Sequence, residues 1–190
     1  MIRNTTVSEK PRVIDTVVMG FALDPILRWL YPAPHDYLSH GSTLIRLFGG
    51  RAVENNSAYH LADHTGAALW LPPGIHPNED GIVKLCEENF EGSKLDEVFS
   101  MFEQMDSFHP DEPCWHLAFI AVDPLQQNKG YGTTLLKHTL EVVDQNKKLA
   151  YLESTNEANL SLYRRHGFEL IGTITAGSSH SLFPMIREPR

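Results

Sequence analysis

The stretch from Trp115 to Ser154 limits the fold most. "WHLAFIAV" is apolar on both faces, which suits a strand buried within a parallel region of a sheet. A loop rich in amides and glycine follows, "DPLQQNKGYGT", and from Gly132 onward Leu135, Leu136, Leu140 and Val143 form one helical stripe. "LAYLES" then reads as a second strand. Strand, helix and strand within about 40 residues make a crossover unit, whose two strands run parallel with a right-handed connection. An α/β fold follows.

The remaining elements are shorter. Asp15 to Leu30 reads as helix broken near Asp24-Pro25, because the residue before proline avoids the helical region. "HDYLSHGSTLIRLFGG" reads as a second helix, with Gly49 and Gly50 as its stop. "SAYHLAD" and "GAALWLPPG" flank a turn at "HTG" and predict a hairpin. Between Pro73 and Pro113, Ile82, Leu85, Cys86 and Phe90 keep helical spacing, as do Leu95, Val98, Phe99, Phe102 and Met105, with Ser93 and Asp96 as a capping pair. "NEANLSLYRRHG" is a short helix stopped by Gly167, and "FELIGTI" and "SLFPMIR" are closing strands.

Bulk properties remove several functional classes. A chain of 190 residues, 42% hydrophobic and 21% charged, is ordinary globular material for one domain spanning 1–190. The net charge of −8, with scattered Lys and Arg, argues against a nucleic-acid surface. No apolar run approaches the roughly 18 residues of a membrane span. "MIRNTTVSEKPR" lacks the apolar centre of a secretory signal, so a cytoplasmic protein is expected. Cys86 and Cys114 have no metal-ligand spacing, and His60 and His64, on a strand and a turn, are expected not to share a face; no metal is predicted.

Two glycines at the mouth of the 131-onward helix ask for a ligand. A P-loop needs glycine, lysine and Ser or Thr in that order, whereas Lys129 precedes Gly130. A dinucleotide fingerprint gains Gly130, Gly132 and Glu153, the last at the right distance, but its third glycine position is Leu135. Its turn should also leave the strand at once, yet Asp123 to Lys129 intervene. What remains is a longer loop whose amides, from Asn128 to Thr133, converge at a positive helix end, the arrangement that holds a pyrophosphate. Glycine lets such a ligand approach the backbone.

"QNKGYG" matches the Q/R-x-x-G-x-G/A acyl-CoA signature, and "YLESTNEANLSLYRRHGFE" resembles the second conserved block, of the GNAT N-acetyltransferase family. The resemblance is strong from Trp115 to Ile174. Earlier, "FALDPILRWLYP" and "ALWLPPG" resemble the branch containing puromycin N-acetyltransferase. The resemblance implies a mixed, mostly antiparallel sheet with two splayed parallel central strands, flanked by helices, with a helical insertion at about 75–112.

It also implies acetyl-CoA as cosubstrate, held by Ile120, Ala121 and Val122 along the pantetheine arm and by Gln127, Asn128, Lys129, Gly130, Tyr131, Gly132 and Thr133 around the pyrophosphate. Asn156 and Asn159 are further contacts to the arm, Asn156 doubling as a helix N-cap. Tyr163 occupies the general-acid position, and Glu153 that of a base or an ammonium holder. Trp29, Tyr31, Trp70 and His116 are expected on the substrate side, His116 as a second candidate base or a packed core residue.

The implied reaction moves an acetyl group to a primary amine of a small molecule by direct attack on the thioester, in a monomer or homodimer. Acetylation of protein N-termini or lysines would favour an open groove, which the insertion is placed to cover. A non-catalytic acyl-CoA-binding regulatory module would be expected to lose Tyr163.

Overall fold

The computed structural model describes all 190 residues. The chain begins with β1 (Ile2–Asn4), α1 (Lys10–Gly20) and α2 (Pro25–Leu30). The break between the helices comes where expected, and its cause is visible: the Asp24 carboxylate caps the Ile26 and Leu27 amides at 3.0 Å, with Pro25 as first helical residue. A short turn, α3 (Pro34–Asp36), leads through one wide π turn into α4 (Ser42–Gly49) and α5 (Arg51–Glu54).

The two glycines here depart from expectation. Gly49 and Gly50 do not stop the helix; Gly50 is right-handed (φ −65°, ψ −26°) and the chain coils on to Glu54. Asn56, at φ 54°, makes the left-handed turn instead. Gly49 is needed for packing: a Cβ there would lie 2.7 Å from the Phe119 ring.

The hairpin of β2 (Ala58–Leu61) and β3 (Gly66–Leu71) follows, then α6 (Glu79–Asn89) and α7 (Gly92–Phe108). The expected Ser93–Asp96 cap does not form; Glu91 stands at the N-cap without a side-chain bond, and Gly92 already belongs to the helix. The crossover unit is β4 (Trp115–Val122), α8 (Tyr131–Gln145) and β5 (Ala150–Ser154). It is followed by α9 (Leu160–Arg165), β6 (Glu169–Leu170) and β7 (Phe183–Arg187), so the first closing strand keeps only two residues of "FELIGTI".

These strands form one seven-stranded sheet in the order β1-β2-β3-β4-β5-β7-β6, antiparallel except between β4 and β5. Helices cover both faces. Ala67, Leu69 and Leu71 point into a core shared with α1, α2, α4, α6 and α7. Ala68, Trp70 and Leu152 point into a smaller core with α8 and α9. The alternation along β3 is the period-two pattern of a strand buried on both faces.

Two irregularities shape the centre. Leu69 pairs with Phe119 but Trp70 with Leu117, leaving Ala118 as the extra residue of a bulge. Leu117 therefore faces the α8 side while Phe119 faces α1 and α4. In addition, β4 and β5 pair only at Trp115–Ala150 and His116–Tyr151. Beyond that point β4 stays with β3 and β5 with β7, and the two parallel strands separate.

Candidate active site

The gap between β4 and β5 opens into a cavity of about 690 Å³. Its floor is the unpaired edge of β4 from Leu117 to Val122 and the end of β5 from Leu152 to Ser154. One wall is the mouth of α8. Gly130 adopts φ 84° as the helix N-cap, and Asn128, at φ 62°, is also left-handed. A Cβ on Gly132 would meet nothing nearer than Leu162 Cδ2 at 3.9 Å. Protein packing thus gives no reason for glycine there, whereas a ligand resting on the backbone does.

Most residues expected to hold the cofactor line this cavity: Ile120, Ala121, Val122, Gln127, Asn128, Gly130, Tyr131, Gly132, Thr133, Asn156 and Asn159. Lys129 does not. Its ammonium is turned to Gln126 Oε1 at 2.8 Å, and the cation at the rim is the exposed Arg165, which the sequence reading passed over. Asn156 caps the following turn through the Ala158 amide at 3.0 Å.

Tyr163 is buried in the smaller core, edge-on to Phe168, and lines the cavity. Burial, and after it the nearby Asp24 charge, holds its phenol well above the usual tyrosine range. Asp24 also lines the cavity. Its second carboxylate oxygen accepts the Thr155 hydroxyl, so this one side chain ties the start of α2 to the end of β5. Burial outweighs those hydrogen bonds and raises its carboxyl above the ordinary value. The Asp-Pro pair signalled the cap in the sequence; nothing there signalled Thr155.

Glu153 and His116 form the other polar feature. Glu153 lines the cavity, and its Oε2 lies 2.8 Å from His116 Nε2, with both side chains buried. His116 stands behind it, outside the cavity lining, edge-on to Phe48 and near His109 and Tyr151. Burial, reinforced by the neighbouring His116, lowers the pKa of His109, and burial with the Glu153 charge raises that of Tyr151. The Tyr151 hydroxyl is close enough to feel Glu153 yet has no hydrogen bond of regular geometry. Cys114, alongside, has its thiol pushed up to about 11, mainly by burial.

Three residues expected on the substrate side are elsewhere. Trp70 is buried against α8 in the smaller core and does not line the cavity. Trp29 sits under Lys94 with its indole N–H on Ser178, and Tyr31 bonds Asn89; neither lines the cavity. Each is an aromatic on a short helix or strand whose inward face could not be told from sequence. A further wall of the cavity is formed instead by Leu27, Leu44, Phe48, Met101, Phe102 and Met105. A further correction concerns His60 and His64. Their rings stack at 4.4 Å, because His64 takes φ 57° in the hairpin turn and folds back over the strand.

Comparisons agree with this geometry. Residues 92–168 match the Acetyltransferase (GNAT) family. An uncharacterized N-acetyltransferase of Schizosaccharomyces pombe is 26% identical over 145 residues, which are 68% of this chain and 58% of that protein. Among solved structures, a histone acetyltransferase HPA2-related acetyltransferase of Corynebacterium glutamicum superposes with a TM-score of 0.70 at 23% identity, covering all of this chain and 96% of that one. Arylalkylamine N-acetyltransferase 2 of Aedes aegypti gives a TM-score of 0.70 at 13% identity, covering 100% and 99%. Polyamine N-acetyltransferase of Drosophila melanogaster gives 0.70 at 15%, covering 99% of each chain. The family match falls on the segment that carries the glycine loop, the parted strands and Tyr163, and the whole chain takes the fold of these acetyltransferase structures.

Proposed function

We propose that the protein is an acetyl-CoA-dependent N-acetyltransferase acting on the primary amine of a small, largely apolar molecule. One observation carries this reading. The parting of β4 and β5 brings the α8 mouth, Tyr163 and Glu153, backed by His116, to a single cavity. Acetyl-CoA would lie with its pyrophosphate on the amides from Asn128 to Thr133 and its pantetheine arm along the free edge of β4. The acceptor would enter between α2, α4 and α7, where six apolar side chains surround two carboxylates, Asp24 and Glu153. A cationic amine with an apolar body suits such a lining. The arylalkylamine and polyamine enzymes among the structural neighbours act on amines, which supports the class. So does the resemblance to the puromycin-type branch.

In this reading Glu153 takes the proton of the bound ammonium, and His116, bonded to its Oε2, holds the carboxylate in place. The freed nitrogen lone pair attacks the thioester carbon; the C–N bond forms, the C–S bond breaks and the thiolate leaves. Tyr163 faces the departing sulfur. Its raised pKa makes full proton transfer to a thiolate, whose conjugate acid sits near 8.5, unfavourable. Tyr163 therefore serves as a hydrogen-bond donor that stabilises the thiolate, which then takes the proton shed by the new amide nitrogen. Helix α7 closes the acceptor side through Met101, Phe102 and Met105.

The test is thiol release from acetyl-CoA against arylalkylamines, polyamines, puromycin-like aminonucleosides, free lysine and N-terminal peptides. Turnover with apolar small amines is expected. Turnover with peptides alone would move the assignment to protein acetylation. Tight acetyl-CoA binding with no turnover on any amine would favour a non-catalytic acyl-CoA-binding module.

A further inference from the structure

Away from the cavity, the N-terminal segment meets the β2–β3 hairpin at a cluster that the acetyl-transfer reading does not use. We propose that Glu9, His60 and His64 bind a divalent transition-metal ion, zinc by ligand type, which clips residues 1–10 to the hairpin. One ligand atom from each of the three lies within 4.8 Å of the other two.

His60 carries the argument. It is 1% exposed, and its Nε2 has no hydrogen-bond partner, as is also true of the buried His64 Nδ1. Two unpartnered imidazole nitrogens side by side in a dry setting are costly unless something accepts their lone pairs. Glu9 Oε1 stands 3.5 Å from His60 Nε2, too far for a good hydrogen bond. That spacing suits two ligands on one ion: metal–ligand bonds of about 2.1 Å at a tetrahedral angle put the ligand atoms about 3.4 Å apart.

The surroundings hold the ligands as a metal site requires. Thr5 Oγ1, buried, lies 3.0 Å from His60 Nδ1, and a hydrogen on that nitrogen leaves Nε2 as the donor atom. Glu9 Oε2 is occupied by the Thr6 amide and hydroxyl in a capping box, which directs Oε1 toward the histidines. The two rings now stack within 4° of parallel, so ion binding would turn the His64 ring until its lone pair converges with that of His60. Arg3, opposite His60 on β1, is exposed, and solvent screens its charge. Two histidines and one carboxylate leave a fourth position for water.

The experiment uses the full chain after chelator treatment, titrated with zinc chloride and, separately, cobalt chloride. Expected are saturation at one ion per chain, a visible cobalt ligand-field band, and a Tm rise of roughly 5–10 °C at 100 times Kd. His64→Ala and Glu9→Gln should each weaken binding by about 10-fold or more. Both side chains are only half-buried, and glutamine retains the capping acceptor. His109→Ala should leave the titration unchanged. If His109→Ala abolishes binding while His64→Ala does not, the ion belongs to the histidines near Glu153 and the proposal is wrong. Absence of a one-to-one saturable phase overturns it as well.

Discussion

The two halves of the cavity are built from different materials. The half proposed to hold the cofactor comes from one continuous stretch, residues 117–165, and much of it is backbone: the free edge of β4 and the amides at the mouth of α8. The half proposed to receive the acceptor is made of side chains from α1, α2, α4 and α7, which are far apart in sequence. A backbone cradle needs glycine at fixed positions and little else, so it tolerates few changes there and many elsewhere. An apolar wall needs only volume and shape, which many residue combinations supply. Substrate preference would then vary on the second half while the cosubstrate stays fixed on the first.

The largest effect should come from filling the cradle. Gly132→Val puts a branched side chain where the free protein has open space, so folding should be unharmed. The ligand loses its approach. Wild-type protein at 100 times Kd of acetyl-CoA should gain roughly 5–10 °C in Tm, and the variant none. A variant that keeps the shift would show that the backbone at 132 is not the cradle, and the contrast between halves would collapse.

Glu153→Gln tests the point where the halves meet. Loss of a general base typically costs about 10²- to 10⁴-fold, so kcat/KM for the amine should fall by that much near neutral pH. Because the missing step is deprotonation, the loss should shrink as pH rises toward the amine's own pKa. Acetyl-CoA binding should be unaffected. A pH-independent loss would assign Glu153 to holding charge rather than moving a proton.

The same contrast explains how much the sequence revealed. The crossover unit, the glycine loop and the position of Tyr163 could be read because they depend on local patterns: an apolar strand, a helix stripe and residues at fixed spacing. Trp29, Tyr31 and Trp70 do not line the cavity, and sequence does not reveal this because an aromatic's direction on a short element depends on its tertiary neighbours. The bulge at Ala118 shows the difficulty, since one extra residue sends Phe119 to the face opposite Leu117. Gly49 and Gly50 misled for a related reason: close packing against Phe119 required glycine where no turn exists. The link between Asp24 and Thr155 spans most of the chain, and no local pattern announces it.

A smaller effect is expected at Tyr163. A hydrogen bond to a charged partner is worth about 1.5–3 kcal/mol, or roughly 10- to 150-fold in rate. Tyr163→Phe keeps the ring and its contact with Phe168, so stability should change little. The loss should appear in kcat and kcat/KM together, with the acetyl-CoA KM nearly constant. A loss of 10³-fold or more would mean that the phenol transfers its proton outright, and that cofactor binding reverses the rise in its pKa.

The smallest predicted effect separates charge from cradle within the cofactor half. Arg165 is the exposed cation at the cavity rim, while Lys129 is turned away to Gln126. If the amides hold the pyrophosphate, an exposed arginine adds only a screened contribution, of the order of 0.5–1 kcal/mol. Arg165→Gln should then raise the acetyl-CoA Kd about two- to fivefold at 0.15 M salt. The difference should widen at 0.01 M, where the Debye length grows from about 8 to about 30 Å. Acetyl-pantetheine, which lacks the phosphates, should bind both proteins equally. Lys129→Gln should have less effect than Arg165→Gln on either ligand. Equal weakening toward acetyl-CoA and acetyl-pantetheine would mean that Arg165 acts by shaping the rim. A larger effect from Lys129 would mean that the loop rearranges on binding and releases its lysine from Gln126, so that the cradle is completed by a side chain as well as by backbone.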